Sequence, residues 1–251
     1  MNTSVENATT FGSQAEVYAA ARPSYPDNLF NWITDQVPGH DLTWDVGTGS
    51  GQSAHQLVDR FAYVHATDLD AAQIAQARAH PRITYKAAPA DQSGLADAST
   101  DAITVATALH WFDHQAFWPE VARVARPGAL FFAWAYGGGE AEPDVQAKLF
   151  DPIKEVLRPY WSDGNRLSWR GYTKDELKMP FEEVAVPDFA CRLAWRPAQI
   201  AAFIRSWSAH KKARLDGHAE TLEALEAEAL ATLPDEPTDY VLPLATIAAR
   251  L

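Results

Sequence analysis

Three glycines at alternating positions, Gly47, Gly49 and Gly51, follow an apolar run through Leu42, Trp44 and Val46. A strand that opens into such a loop lets backbone N–H groups approach a ligand with no Cβ in the way. Roughly 20 residues further on, a second apolar run, Tyr63-Val64-His65-Ala66-Thr67, ends in Asp68, a carboxylate placed to accept ribose hydroxyls. The pair predicts a nucleoside-containing ligand on an α/β sheet.

The glycines admit two registers. Gly49-Ser50-Gly51-Gln52-Ser53-Ala54 fits G-x-G-x-x-A, the dinucleotide pattern. Asp45-Val46-Gly47-Thr48-Gly49-Ser50-Gly51 starts earlier and sets an acid before the first glycine. A carboxylate there can face the ammonium group of an amino acid, which a pyrophosphate does not reward electrostatically. That favours S-adenosylmethionine (SAM) over NAD.

Outside the loop, Arg22 sits among Tyr18, Pro23, Tyr25 and Pro26 and can grip a carboxylate bidentately. Tyr18 and Tyr25 would shape the same lid, or simply pack. His110 follows a strand end and can take a proton from a hydroxyl or hydrogen-bond a carboxylate; the plainer alternative is a structural plug beside Trp111 and Phe112. Trp111, Trp134, Trp161, Trp169 and Trp207 are candidates for an aromatic pocket, each with core packing as its alternative. His110, Asp113 and His114 cluster, but without an established helix they indicate no metal site.

The elements that must position these residues alternate. Strands are expected at 42–46, 63–67, 82–87, 102–108 and 129–135, with helices at 52–61, 71–79 and 114–125. Such alternation predicts a parallel sheet covered on both faces. Before it, residues 1–10 read as disordered, a short helix spans Gln14 to Ala21, and a second runs from Pro26 to Pro38-Gly39. Arg126-Pro127-Gly128 reads as the turn into the fifth strand. The rhythm stops at Gly137-Gly138-Gly139, and residues 140–180 show no strand pattern, with Pro143, Pro152 and Pro159 as breakers among aromatic residues; this segment is expected to be a substrate lid. A strand near 183–195, helices at about 197–211 and 216–232, and a last strand, 240–247, complete the chain.

The 251 residues suffice for one large domain with a cap, and 47% hydrophobic with 22% charged residues is ordinary globular composition. A net charge of −12 argues against a nucleic-acid duplex or an anionic membrane as partner. Arg205, His210, Lys211, Lys212 and Arg214 form a local basic cluster, read as a solvated helix face with one or two substrate contacts. The one cysteine, Cys191, excludes an internal disulfide and reads as a small buried hydrophobe. With no leader pattern and no long apolar run, the expectation is a soluble, cytoplasmic protein.

The ordered motifs resemble those of the class I SAM-dependent methyltransferases over nearly the whole chain. Asp45–Gly51 looks like the glycine motif, Thr67-Asp68-Leu69-Asp70 like the ribose-binding strand end, and Ala90-Asp91 like the position that meets the adenine edge. Leu95–Ile103 is similar to the lead-in to strand four, and Arg126-Pro127-Gly128 to the turn before strand five. Tyr18-x-x-x-Arg22-Pro23-x-Tyr25-Pro26, Ala108-Leu109-His110-Trp111-Phe112-Asp113 and Ser206-Trp207-Ser208 resemble the group around trans-aconitate and cantharidin methyltransferases. Gln52 departs from the small residue common after the glycines, and the lid segment has no counterpart pattern.

The resemblance implies a Rossmann-like α/β fold with a mostly parallel seven-stranded sheet. It divides the chain into N-terminal lid helices (1–40), a SAM-binding core (41–139), a substrate-lid insertion (140–182) and a C-terminal part completing sheet and acceptor pocket (183–251). The implied cofactor site comprises Arg22, Asp45, Gly47, Thr48, Gly49, Gly51, Asp68, Leu69, Ala90, Asp91 and Thr107. The implied acceptor site comprises Arg22, Tyr18, Trp111, Trp134 and Trp207, with His110 as the catalytic residue. The expected reaction is methyl transfer to an oxygen of a small carboxylic acid. A phenol, amine or phosphonate acceptor, a nicotinamide oxidoreductase and a non-catalytic binding module are the alternatives.

Overall fold

The computed structural model describes residues 22–251. Tyr18 and the expected helix ending at Ala21 lie outside them. Helix α1 (Asp27–Asp35) leads into strand β1 (Leu42–Val46), followed by α2 (Gln52–Leu57), β2 (Tyr63–Asp68), α3 (Ala71–Ala75), β3 (Ile83–Ala87) and β4 (Thr100–Ala106). A single 3-10 turn, Leu109–Trp111, precedes α4 (His114–Val124) and β5 (Ala125–Tyr136). These five strands pair in parallel in the order β3-β2-β1-β4-β5. The order reverses between β1 and β4, so their C-terminal ends diverge and open a crevice.

Alternation along β5 divides the interior. Leu130, Phe132, Trp134 and Tyr136 face one core with Leu29, Phe30 and Ile33 of α1. Phe131, Ala133 and Ala135 face the other, with Phe117, Trp118, Val121 and Val124 of α4. An unbroken run of apolar residues is what a strand buried on both faces requires. Among the described residues Cys191 is the free cysteine, and it is buried, as expected.

Beyond β5 the chain adds β6 (Glu140–Ala141), a helical turn (Pro143–Val145), a π turn (Gln146–Phe150), α5 (Asp151–Leu157), α6 (Asp163–Arg170), α7 (Lys174–Leu177), β7 (Glu182–Glu183) and β8 (Phe189–Trp195). Helices α8 (Pro197–Arg205), α9 (Ser208–Ala213) and α10 (Ala219–Thr232) then lead to β9 (Thr238–Arg250). Strand β9 lies antiparallel to β5, β6, β7 and β8. Among the described residues the sheet thus has nine strands, of which β6 and β7 are two-residue pieces appended to the expected seven.

Three local readings change. The stretch read as one strand, 183–195, is split between β7 and β8. Arg126-Pro127-Gly128 is a bulge within β5: pairing runs Thr100↔Ala125, then resumes at Ala102↔Leu130, with Gly128 at φ +84° in the excursion. The prolines of the lid start helices more than they break them. Pro143 stands in a first turn, where a missing N–H costs nothing, and Pro152 follows a π turn with which its helix is continuous. The π turn just before Pro152 widens the helix where a proline ring would crowd the carbonyl four residues back.

Candidate active site

Two adjoining cavities occupy the crevice, of about 320 Å³ beside the glycine loop and about 350 Å³ under the lid. Arg22, Thr107 and Trp111 line both and mark their junction.

The first cavity is built by the β1–α2 turn. Gly47 has φ +68°, and a Cβ there would stand 2.5 Å from Ala108 Cβ. Gly47, Thr48 and Gly49 line the cavity, so the turn presents backbone to it. Gly51, also at positive φ, is buried and absent from the lining; its missing Cβ makes room for the Tyr85 ring. It is a packing glycine, a correction to the ligand role expected for it.

Asp45 is corrected too. Its carboxylate is fully buried, accepting Thr48 Oγ1–H at 2.6 Å and Thr104 Oγ1–H at 3.0 Å, and it does not line the cavity. Burial pushes its pKa up to about 6, against the two threonine hydrogen bonds. The acid before the glycines braces the loop from below, its carboxylate turned to the two threonine hydroxyls and not among the groups that line the cavity.

Asp68, at the end of β2, does line the cavity. Its two oxygens accept Gly49 N–H at 2.7 Å and Asp70 N–H at 2.9 Å, which ties the carboxylate to the loop and leaves one lone pair on each oxygen. Burial raises its pKa, opposed by those backbone hydrogen bonds. The helix cap is made by Asp70 instead, which accepts Ala72 N–H at 2.8 Å. Leu69, 45% exposed, forms an apolar lip, with Ala90 and Asp91 across the same cavity. A glycine cradle, a paired-acceptor carboxylate and an apolar lip fit an adenosine with a short charged tail.

Thr107 stands at φ +57°, a conformation costly for a β-branched residue. Its N–H donates to Trp134 O at 2.7 Å and its hydroxyl lies 3.1 Å from Tyr25 Oη. The strain is held at the junction of the two cavities.

His110, in the turn after β4, faces the second cavity, with Nδ1 2.9 Å from Tyr172 Oη. Burial, reinforced by the positive charge of Arg22, holds its pKa down to about 3, so the imidazole is neutral and weakly basic. The Arg22 guanidinium lies 5.1 Å over the Tyr136 ring and 5.7 Å from the Phe203 ring centre. Trp111, Trp161, Trp169 and Trp207 line this cavity. Trp134 does not. It is fully buried, edge-on to Tyr25 and Phe30, and belongs to the core.

None of the basic cluster at 205–214 lines either cavity; Arg205 and Arg214 are ion-paired to Glu226 and Glu223. Asp113 caps α4, and His114 Nε2 lies 2.9 Å from Leu109 O. Sequence reasoning gave no individual site role to Tyr172, Lys154, Arg158 or Tyr240. A signal existed for two of them: Phe150, Lys154 and Arg158 recur every four residues, one helix face. Reading Pro152 as a breaker concealed it.

Residues 44–133 match the family model described as a methyltransferase domain. A solved structure from Anaeromyxobacter dehalogenans, described as a type II methyltransferase, is 37% identical and superposes with a TM-score of 0.82, covering 91% of this chain and 97% of its own. A Dictyostelium discoideum protein named as a methyltransferase is 28% identical over 210 residues, 80% of this chain and 77% of that one. An uncharacterized methyltransferase of Mycobacterium tuberculosis is 38% identical over 127 residues, about half of each chain (50% and 51%). With the glycine cradle and Asp68 on a sheet of this order, the chain belongs to the class I SAM-dependent methyltransferases, enzymes whose cofactor is S-adenosylmethionine.

Proposed function

We propose that this enzyme methylates an oxygen of a small carboxylic acid, as its likeness to the trans-aconitate and cantharidin group implied. One observation carries the reading. Among the described residues the second cavity is lined by Arg22, Lys154 and Arg158 and by no aspartate or glutamate, in a chain of net charge −12. Cations gathered against the overall charge, between aromatic walls, suit an anionic acceptor with an apolar body.

The cofactor belongs in the first cavity. Asp68 accepts its ribose hydroxyls, Leu69 covers the adenine, Ala90 and Asp91 meet the adenine edge, and the backbone at Gly47, Thr48 and Gly49 receives the methionyl part. Bound SAM supplies an electrophilic methyl on a sulfonium. Arg22, Thr107 and Trp111, shared by both cavities, orient the acceptor carboxylate toward it. A carboxylate already bears its negative charge, so the weak basicity of His110 is no handicap, and His110 serves as a neutral hydrogen-bonding group. Holding the reactants in register supplies the catalysis. Arg22 and Tyr25, ahead of the core helix α1, exclude water as the lid together with residues 140–182, and residues 183–251 complete the pocket.

The test is a panel of carboxylic acids, phenols and amines incubated with labelled SAM. Methyl esters are expected from acids alone, with Arg22→Gln raising the acid's KM by about tenfold or more, the worth of a charge-assisted bond. Methylation of a phenol or amine with all acids inert refutes the proposal.

A further inference from the structure

His110 stands in the core turn after β4, and Tyr172 belongs to the lid, in the short link between α6 and α7. A close approach of lid to core brings them together. A Cβ on Gly164, in α6, would stand 3.0 Å from His110 O and 3.4 Å from its ring carbon Cδ2. Gly171, at φ +90°, ends α6, and Thr173 opens α7 by accepting Glu176 N–H, which fixes Tyr172 between two helix ends. The tyrosine ring is buried, with Oη 2.9 Å from His110 Nδ1. The ring centres are 6.3 Å apart and the planes 23° from parallel, so with that short contact the rings meet edge to edge. The phenol thus approaches Nδ1 along the imidazole edge, where a ring nitrogen accepts or donates.

A bond between a phenol and an imidazole nitrogen can run either way, and the second bond at the phenol oxygen decides it. The His110 backbone also hydrogen-bonds Tyr172 in the sense that favours the phenolate, so its N–H donates to Oη. Burial nevertheless raises the Tyr172 pKa, and the phenol keeps its own proton to donate. Among the described residues that O–H meets no acceptor other than Nδ1; the Tyr25 phenol, in Coulomb range, is bonded to Thr107 Oγ1. With the proton on Nδ1 instead, Oη would accept twice and leave a buried O–H unpartnered, which disfavours that tautomer by about tenfold or more. A neutral imidazole carries one N–H, so the proton sits on Nε2. Burial, then the Arg22 guanidinium and the His114 ring, keep His110 neutral. Nε2 makes no hydrogen bond among the described residues and is not sealed from solvent, so its N–H opens into the cavity that His110 lines.

We propose that Tyr172 is a positioning residue: its O–H, donated to Nδ1, holds His110 in the tautomer protonated on Nε2, so that His110 presents the methyl acceptor with a hydrogen-bond donor and never with a base. The lid therefore sets the chemistry of a core histidine by packing against it. This takes from the reading above only that the acceptor occupies the second cavity, and it holds for any class of acceptor.

The experiment is proton–nitrogen multiple-bond NMR of the full chain with isotope-labelled histidine, saturated with S-adenosylhomocysteine, across about pH 5–8. The spectrum of His110→Asn assigns the His110 signals by their loss. The wild type should show one neutral tautomer throughout, with Nδ1 unprotonated and Nε2 protonated. A protonated Nδ1, or a ring that becomes cationic in that range, overturns the proposal on the wild type alone. Tyr172→Phe keeps the buried ring and removes only the hydroxyl. Its two nitrogen shifts should move toward each other as both tautomers populate; wild-type shifts in this variant also overturn the proposal. A merely structural tyrosine would change stability and leave the tautomer alone. With the best substrate of the labelled-SAM panel, Tyr172→Phe should lower kcat/KM about three- to tenfold, but less than twofold in a His110→Asn background. Equal losses in both backgrounds refute the coupling. The spectrum needs no acceptor, so a panel in which every acid is inert sinks the acid reading while the tautomer still decides this inference.

Discussion

Replacing Asp68 by asparagine changes one atom at the point where glycine loop and strand end meet. The two carboxylate oxygens each accept a backbone N–H, from Gly49 and from Asp70, and each keeps a lone pair toward the first cavity. Those lone pairs are the acceptors assigned to the ribose hydroxyls. Asparagine offers one oxygen and one NH2, so one backbone N–H loses its acceptor and any remaining bond to a hydroxyl becomes neutral. Exchanging a charge-assisted for a neutral bond loses about 1–1.5 kcal/mol. Two hydroxyls give about 2–3 kcal/mol, or a 30- to 150-fold weaker complex. The stability of the ligand-free protein should change less, because the lost backbone bond is offset by removing a charge that burial disfavours. Isothermal titration of both proteins with S-adenosylhomocysteine measures the first quantity, and chemical denaturation without ligand the second. If folded Asp68→Asn binds within twofold of wild type, the ribose assignment is wrong.

Two pH effects follow from buried groups. Asp45 titrates near 6 in the folded chain, against about 3.9 for an unfolded carboxyl. The folded state therefore holds the extra proton between those values, so this group's contribution to stability declines as pH rises from about 4 to 6 and stays low above. Asp45→Asn should flatten that slope in denaturation curves, by up to about 3 kcal/mol across the window, and an unaltered slope refutes the assignment. His110, held near 3, should leave kcat/KM flat through pH 6–8. An acidic limb near pH 6.5 that vanishes in His110→Asn would contradict its neutral role.

The sequence by itself determined the order of elements in the core and the glycine loop, which follow from local backbone needs and periodicity. Alternating apolar runs and helices specified the five parallel strands, because an unbroken run such as Leu130–Ala135 satisfies only a strand covered on both faces. The spacing of Gly47, Gly49 and Asp68 specified the cradle and its carboxylate, since a β–turn–α unit brings those positions together whatever surrounds them. Arg22, His110 and four of the tryptophans named from sequence do face the cavities. The tertiary structure alone decided which way each side chain points. Asp45 turned inward to Thr48 and Thr104, Gly51 opened onto Tyr85, and Trp134 filled the core between Tyr25 and Phe30. It also joined His110 to Tyr172, from segments 62 residues apart that no local pattern links. Such meetings come from the way the lid helix α6 packs against the turn after β4, and packing is set by the whole chain at once.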